Sequence, residues 1–229
     1  MFKDTIRGLD KVFHTDIIAP KVVLITGPPG SMKSSFTFKL LTDYLRNRDE
    51  FGLYATLEET AESHLKNMES VGIPPCLNMQ ITDFTDLRGD NTDSMDYLQF
   101  TENMVKHFKE TRGDKFTCFA FDSLGALYSL MEDSENMRRR MFHFFRVLRE
   151  QNIISLILME RAIEGESHLM GNEGFLSDGI MMLGLRRKQG RLTRYLQVEK
   201  MRATKHSMEQ HALEVKDGEI AILGPIFDQ

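Results

Sequence analysis

A short apolar run, a glycine-bracketed loop ending in lysine and serine, and a helical pattern follow one another early in the chain. They are Lys21-Val22-Val23-Leu24-Ile25-Thr26, then Gly27-Pro28-Pro29-Gly30-Ser31-Met32-Lys33-Ser34, then Ser35-Phe36-Thr37-Phe38-Lys39-Leu40-Leu41. Few arrangements constrain a fold so tightly. A buried strand delivers the chain to a turn, backbone N–H groups curl inward, and a helix begins with its positive dipole end facing that turn. That is a cradle for a phosphate. Its consensus, G-x-x-x-x-G-K-[ST], is met at Gly27, Lys33 and Ser34 and departed from at Met32, where a second glycine belongs. Glycine there allows torsions that a side chain obstructs, and Gly30, two residues earlier, is available for part of the curvature. Lys33 still reaches β- and γ-phosphates, and Ser34 still offers a hydroxyl to Mg2+. The bland alternative is a Gly/Pro-rich turn with an incidental lysine, and the flanking strand and helix weigh against it. Met32 leaves slower or weaker chemistry open.

At 229 residues the chain is long enough to bury a sizeable core, and 41% hydrophobic with 28% charged residues is ordinary for a globular protein. A net charge of −5 argues against a protein that coats nucleic acid, although Arg138-Arg139-Arg140 and Arg186-Arg187-Lys188 are locally basic. The two cysteines, Cys76 and Cys118, lack metal-ligand spacing, and reduced thiols fit a reducing cytosol. With neither a signal-like stretch nor a membrane-length apolar run, the expected compartment is cytoplasmic, with no membrane partner.

Along the chain, helical and strand patterns alternate. The first helix is expected to run to about Arg48, and Gly52–Leu57 reads as a strand ending on Glu58-Glu59. Thr60 is placed to cap a helix whose apolar face carries Leu65, Met68 and Val71, and which Gly72 and Pro74-Pro75 stop. A short strand is expected within Leu77–Phe84 and a helix from Met95 to about Glu110. Phe116–Asp122 then reads as a central parallel strand, Asn136–Gln151 as a helix and Ile153–Met159 as a strand ending on Glu160-Arg161. The polar stretch Ala162–Gly174 follows. Gly179–Gly184, Arg194–Glu199 and Gly218–Leu223 read as closing strands, with a tight turn at Lys188–Arg191. The pattern predicts one α/β domain over residues 1–229: a mostly parallel central sheet flanked by helices, with an antiparallel C-terminal β extension.

Ligands of open parallel sheets bind outside the carboxyl ends of the strands. Four candidate strands end on polar chemistry there: the phosphate loop, Glu58-Glu59, Asp122-Ser123 and Glu160-Arg161. Asp122, closing a hydrophobic strand, has the form of a carboxylate that holds Mg2+ beside the Ser34 hydroxyl. Of Glu58 and Glu59, adjacent on leaving a strand, one points toward such a site and the other away. A carboxylate there polarises water for attack on a γ-phosphate, while an acidic pair favoured by a helix dipole is an equally good reading of spacing alone. Lys200 and Arg202, two apart on one strand face, read either as a solvated edge or as neutralisation of a triphosphate held by a neighbouring subunit.

Taken in order, Arg7-Gly8-Leu9-Asp10, Glu58-Glu59-Thr60, Asp122-Ser123-Leu124, Glu160-Arg161, Phe175–Asp178 and Lys200-Met201-Arg202-Ala203-Thr204-Lys205-His206 resemble the KaiC-like ATPases of the RecA superfamily over nearly the whole chain, as a single domain of archaeal type. The resemblance implies a RecA-like P-loop NTPase fold, ATP and Mg2+ as ligands, and a hexameric homo-oligomeric ring with ATP or ADP at subunit interfaces. It implies phosphate binding by Gly27, Gly30, Ser31, Met32, Lys33, Ser34 and Ser35, metal binding by Ser34 and Asp122, and catalysis by Glu58 and Glu59 with Lys33. Ser70 matches a nucleotide-contacting serine. Lys200, Met201, Arg202, Thr204, His206 and Asp217 match contacts made from across the interface. His206 by itself is a lone histidine near a strand end, and only its place in the Lys-x-Arg-x-Thr-x-His pattern gives it a role.

Three departures from the family pattern matter. Met32 replaces the loop glycine, and Ala203 replaces the glycine after the arginine. Gly174 and Phe175 stand where clock-type domains carry a phosphorylatable hydroxyl pair, so autokinase activity is not expected there. The expected function is a slow ATPase (ATP and water to ADP and phosphate) whose nucleotide state regulates an unidentified protein partner. Two other readings stay open. One is an ATP-dependent assembly scaffold with little hydrolysis, and the other is a recombinase-like, DNA-dependent ATPase. The last is disfavoured because the stretch best placed to face DNA carries Glu164, Glu166 and Glu173.

Overall fold

The computed structural model describes residues 1–84, 96–131, 136–161, 173–188, 190–216 and 219–226. Strands β1 (Lys21–Gly27), β2 (Phe51–Thr56), β3 (Met79–Asp83), β4 (Phe116–Asp122), β5 (Ile154–Glu160), β6 (Gly179–Lys188), β7 (Arg191–Met201), β8 (His211–Lys216) and β9 (Glu219–Pro225) form one nine-stranded sheet. Their order is β3-β2-β4-β5-β1-β6-β7-β8-β9. β3, β2, β4, β5, β1 and β6 pair in parallel, and β6 through β9 pair antiparallel. The expected mixed architecture is the observed one.

Period-two alternation explains why β1 reads as uninterrupted apolar sequence. Val23 and Ile25 enter the core on one face of the sheet, with Leu9 and Val12 of the short helix α1 (Leu9–Val12) and Phe36, Leu40 and Leu41 of helix α2 (Lys33–Leu45). Val22 and Leu24 enter the core on the other, with Leu98 and Val105 of α4 (Tyr97–Arg112) and Phe144 and Leu148 of α6 (Met137–Glu150). Each such side chain, fully removed from water, contributes about 1.5–3 kcal/mol. The four carboxyl ends, at Gly27, Thr56, Asp122 and Glu160, are aligned on one edge by the register of the parallel ladders: Gly27 pairs with Glu160, and Thr56 with Asp122.

Helix α3 (Ala61–Ser70) shows how the ends are set. Thr60 caps it, its hydroxyl accepting from the Ser63 N–H at 3.1 Å. At the other end Gly72, at φ 79°, donates to the Glu69 carbonyl, and Ile73 donates to the Met68 carbonyl. Met68 and Ile73 are both buried beneath that turn.

Several expectations need correction. α2 stops at Leu45 rather than Arg48, because Asn47 takes a left-handed torsion (φ 61°) and turns the chain toward β2. Val71 is exposed; the buried residues of α3 are His64 and Met68. Two of the unforeseen elements have a plain reason. The first is α5 (Leu124–Ser129), too short for periodicity to register, with its N-terminus capped by Ser123. The second is β8, where buried His211 interrupts the apolar alternation. Most of Ala162–Gly174 lies outside the described residues, and its end begins the short helix α7 (Glu173–Leu176). The Lys188–Arg191 turn includes Gln189, which is likewise outside them. Among the described residues no helix is long and apolar enough to cross a membrane.

Candidate nucleotide site

The loop after β1 turns through Gly30 at φ 79° and Met32 at φ 73° before α2 begins. Met32 thus holds the left-handed conformation that a consensus glycine would supply. For an L-residue this costs about 1–2 kcal/mol. Gly30 has no heavy atom within 4 Å of where a β-carbon would sit. Met32 supplies no side-chain cap, and the first intrahelical bond runs from the Phe36 N–H to the Met32 carbonyl. The N–H groups of Lys33, Ser34 and Ser35 accordingly open the helix without intrahelical acceptors, which makes that end receptive to anions. The Ser31 hydroxyl is buried with no hydrogen-bond partner. Lys33 is buried, and its ammonium donates to the carbonyls of Gly27 (3.0 Å) and Pro28 (3.3 Å) while lying 3.8 Å from Glu160 Oε1. An orphaned hydroxyl, open N–H groups and a cation at the mouth of an open turn fit a polyphosphate.

Around this loop the neighbouring strand ends gather carboxylates. The Ser123 hydroxyl lies 2.6 Å from Glu58 Oε1 and 3.2 Å from Glu160 Oε2, tying the ends of β2, β4 and β5 together. Glu58 and Glu59 part company. Glu58 is exposed and faces Ser123, whereas Glu59 accepts from Ser63 Oγ (2.7 Å) and Asn67 Nδ2 (2.7 Å) and lies 2.9 Å from His64 Nδ1. One carboxylate turns to the shared edge, and the other is engaged with α3.

Asp122 is buried, and burial pushes its carboxyl above the ordinary range against the opposing pull of hydrogen bonds from Ser34 and Tyr54. The Tyr54 hydroxyl donates to Asp122 Oδ2 at 2.7 Å. Among the described residues no group of three or more His, Cys, Asp and Glu forms a metal cage by itself. Mg2+ needs none, since one or two carboxylates, substrate phosphates and waters satisfy it. A buried carboxylate beside a serine hydroxyl at a phosphate-receptive turn is a donor set that fits this ion.

The remaining expected residues lie elsewhere. Ser70 closes α3, about 15 Å along the helix from its Glu59 end, with its hydroxyl on the Asn67 carbonyl. Met201 pairs with Gly179, which pairs with Val23, so the Lys200–Arg202 segment sits four residues, about 13 Å, back from Gly27 toward the opposite sheet edge. There Lys200 donates to the carbonyls of Gly174 and Ser177, and burial followed by the nearby Arg202 charge depresses its pKa. Arg202 pairs with Asp178 at 3.3 Å, and Ala203, at φ 52°, turns the chain after it. Thr204 reaches the Arg202 carbonyl, and His206 bridges to Phe13. Asp217 lies outside the described residues. One chain therefore gathers the loop, Glu58 and Asp122, and leaves the Lys200–His206 segment apart from them.

The sequence placed Ser123 and Glu160 at the converging strand ends without giving either a role, and it passed over Tyr54 and Arg194. Ser123 and Glu160 had a signal, each standing beside a residue at a strand's carboxyl end. Tyr54 reads as an ordinary core aromatic, and Arg194, whose Nε donates to the Gly30 carbonyl at 3.1 Å, reaches the loop from β7 with no local pattern.

Comparison with known proteins agrees with this geometry. Residues 2–225 match the family model described as "ATPase: KaiC". A UPF0273 protein of Thermotoga maritima is 30% identical over 96% of this chain and 94% of its own length. The circadian clock protein KaiC3 of Synechocystis is 28% identical over 88% of this chain, which spans 41% of that longer protein. The crystal structure of a KaiC-like protein from Pyrococcus horikoshii superposes with a TM-score of 0.80 at 23% identity, covering 95% of this chain and 96% of that one. A loop built for phosphate, a sheet of this order and a family match over nearly the whole length lead to one assignment: the chain belongs to the KaiC-like family of ATPases.

Proposed function

We propose that the chain is an ATPase domain that binds ATP with Mg2+, hydrolyses it slowly, and works as a head-to-tail hexameric ring whose nucleotide state regulates a protein partner. The observation that carries this reading is the gathering of Lys33, Ser34, Glu58, Asp122, Ser123 and Glu160 at one edge of neighbouring strands. Lys33 exchanges its loop carbonyls for phosphate oxygens, and the open N–H groups of α2 receive the rest of the polyphosphate. Ser34 and Asp122 would hold Mg2+, whose chemistry when bound is to neutralise charge on the β- and γ-oxygens. Glu58, aimed at the shared edge and held by Ser123, orients and deprotonates the attacking water. Glu59 keeps the turn after β2 in register through α3. The separation of Lys200, Arg202, Thr204 and His206 from the loop supports their use on a neighbour's nucleotide, as a heterologous contact that closes into a ring.

The test is phosphate release and ATP binding by wild type, Glu58→Gln and the Glu58→Gln/Glu59→Gln double variant. We expect retained ATP binding with hydrolysis lost; unchanged turnover in the double variant sinks the assignment. A second reading, an ATP-dependent scaffold with almost no turnover, is favoured by the left-handed Met32. A large rise in phosphate release on Met32→Gly supports the scaffold reading for the wild type.

A further inference from the structure

Behind the candidate magnesium carboxylate lies a buried aromatic assembly that the proposed mechanism does not use. Tyr54 is fully buried on β2 and donates its phenolic proton to Asp122 Oδ2 at 2.7 Å. Its ring stacks on His64 of α3, with centroids 4.6 Å apart and planes 29° from parallel. Phe38 of α2 meets both rings edge-on, at 5.5 Å from Tyr54 and 5.2 Å from His64. His64, itself buried, is anchored through Nδ1 to Glu59 Oε1 at 2.9 Å, and its Nε2 has no hydrogen-bond partner. The phenol is thus clamped on one face and one edge and has a single task left to its oxygen. The Ser34 hydroxyl lies close to both Asp122 and Tyr54, so the three polar groups share one small space.

A monodentate carboxylate ligand must present one oxygen to its ion in a fixed plane, and hydrogen bonds to its other atoms set that plane. With Oδ2 committed to Tyr54, the rotation of the Asp122 carboxylate is stopped. A phenylalanine would fill the same volume and leave a buried carboxylate free to turn toward Lys33 or the Ser34 hydroxyl. We propose that Tyr54 is a positioning residue for the magnesium site, orienting Asp122 and Ser34 toward the cation, and that His64 acts as the platform holding the Tyr54 ring. This rests on the reading of Ser34 and Asp122 as the Mg2+ donors. It goes beyond that reading by giving a function to two residues outside the phosphate loop and the strand-end carboxylates.

The experiment uses the full chain. It measures ATP affinity in EDTA, Mn2+ affinity of the ATP complex by electron paramagnetic resonance, and the Mg2+ concentration giving half-maximal phosphate release. Tyr54→Phe is expected to leave metal-free ATP affinity within about twofold while weakening Mn2+ affinity and raising the Mg2+ requirement about tenfold, the scale of a lost outer-shell ligand. His64→Leu, which leaves Asp122 and Tyr54 intact, is expected to shift both metal readouts in the same direction by about threefold, a smaller packing effect. It decides the matter if Tyr54→Phe does not give a cooperative melt. A folded Tyr54→Phe protein with wild-type Mn2+ affinity and Mg2+ dependence overturns the proposal, as does an equal loss of ATP affinity in EDTA, which marks a general structural effect. Wild-type protein whose ATP complex does not take up Mn2+ overturns the underlying site reading instead.

Discussion

Met32 and Ala203 share a backbone handedness, at φ 73° and φ 52°, although they lie beyond opposite ends of the sheet's strands. Both are positions where the family pattern leads one to expect glycine. The substitutions have therefore left the turns intact and made the side chains tolerate a left-handed backbone, at about 1 kcal/mol each or somewhat more. Met32→Gly and Ala203→Gly are each expected to raise the melting temperature by about 2–4 °C, the equivalent of roughly 1 kcal/mol in a chain of this size. Circular dichroism melts check this, and two variants melting at or below wild type would contradict it.

Glu58 and Glu59 are expected to separate experimentally. Glu59 takes contacts from Ser63, His64 and Asn67, so Glu59→Gln costs about 1–2 kcal/mol of stability. Glu58 sits exposed among other carboxylates, so Glu58→Gln changes stability by less than about 0.5 kcal/mol while abolishing turnover. Denaturant unfolding and phosphate release on the same preparations decide it; equal stability losses would remove the distinction.

Asp178 offers a pH test away from the loop. Burial pushes its carboxyl up, but hydrogen bonds from Arg149 and the Val22 N–H, the Arg149 charge and Arg202 outweigh this and hold it below the ordinary range. A depressed folded-state pKa means stabilisation that is complete above the unfolded value, about 3.9, and is lost as pH falls through the folded value. Asp178→Asn is expected to cost about 2 kcal/mol at neutral pH and to flatten the acid limb. Wild-type and variant melting temperatures should then converge once the pH has fallen through the folded-state value. Parallel curves down to that pH would refute the linkage.

A head-to-tail arrangement makes a mixing prediction. Lys33→Ala destroys a subunit's loop, and Arg202→Ala its contribution to a neighbour, so each protein alone is inactive. Mixed one to one after dissociation, random assembly leaves roughly a quarter of interfaces with both groups intact. Phosphate release should recover to about that fraction of wild type. No recovery would argue that Arg202 acts within its own chain, where it pairs with Asp178.

The fold was legible because strands buried on both faces write themselves as continuous apolar runs, and β1, β4 and β5 are such runs. The strand-end residues were legible for a related reason: a polar residue at the close of an apolar strand is conspicuous. β8 was not, since His211 occupies a buried position with a polar side chain. Tyr54 and His64 were not legible either. Their roles come from contacts across β2, α2, α3 and β4, and nothing local to either residue announces a partner far away in sequence. Met32 shows the reverse: the sequence marked the anomaly, and only the torsion showed that the backbone had kept the glycine shape around it.

Gly27 deserves a different interpretation from the one its motif invites. A β-carbon there would lie 2.0 Å from the Leu183 carbonyl oxygen and 2.8 Å from Ser31 Oγ, so β6 alone forbids any side chain, whether or not a phosphate ever arrives. Gly30 has open space around it, and only its left-handed torsion, φ 79°, favours glycine there. A relative that had abandoned nucleotides would still have to keep Gly27 to close its sheet, while Lys33 would be free to drift. In chains of this architecture the first glycine of the loop testifies to masonry, and evidence of a living nucleotide site has to be sought in the residues after it.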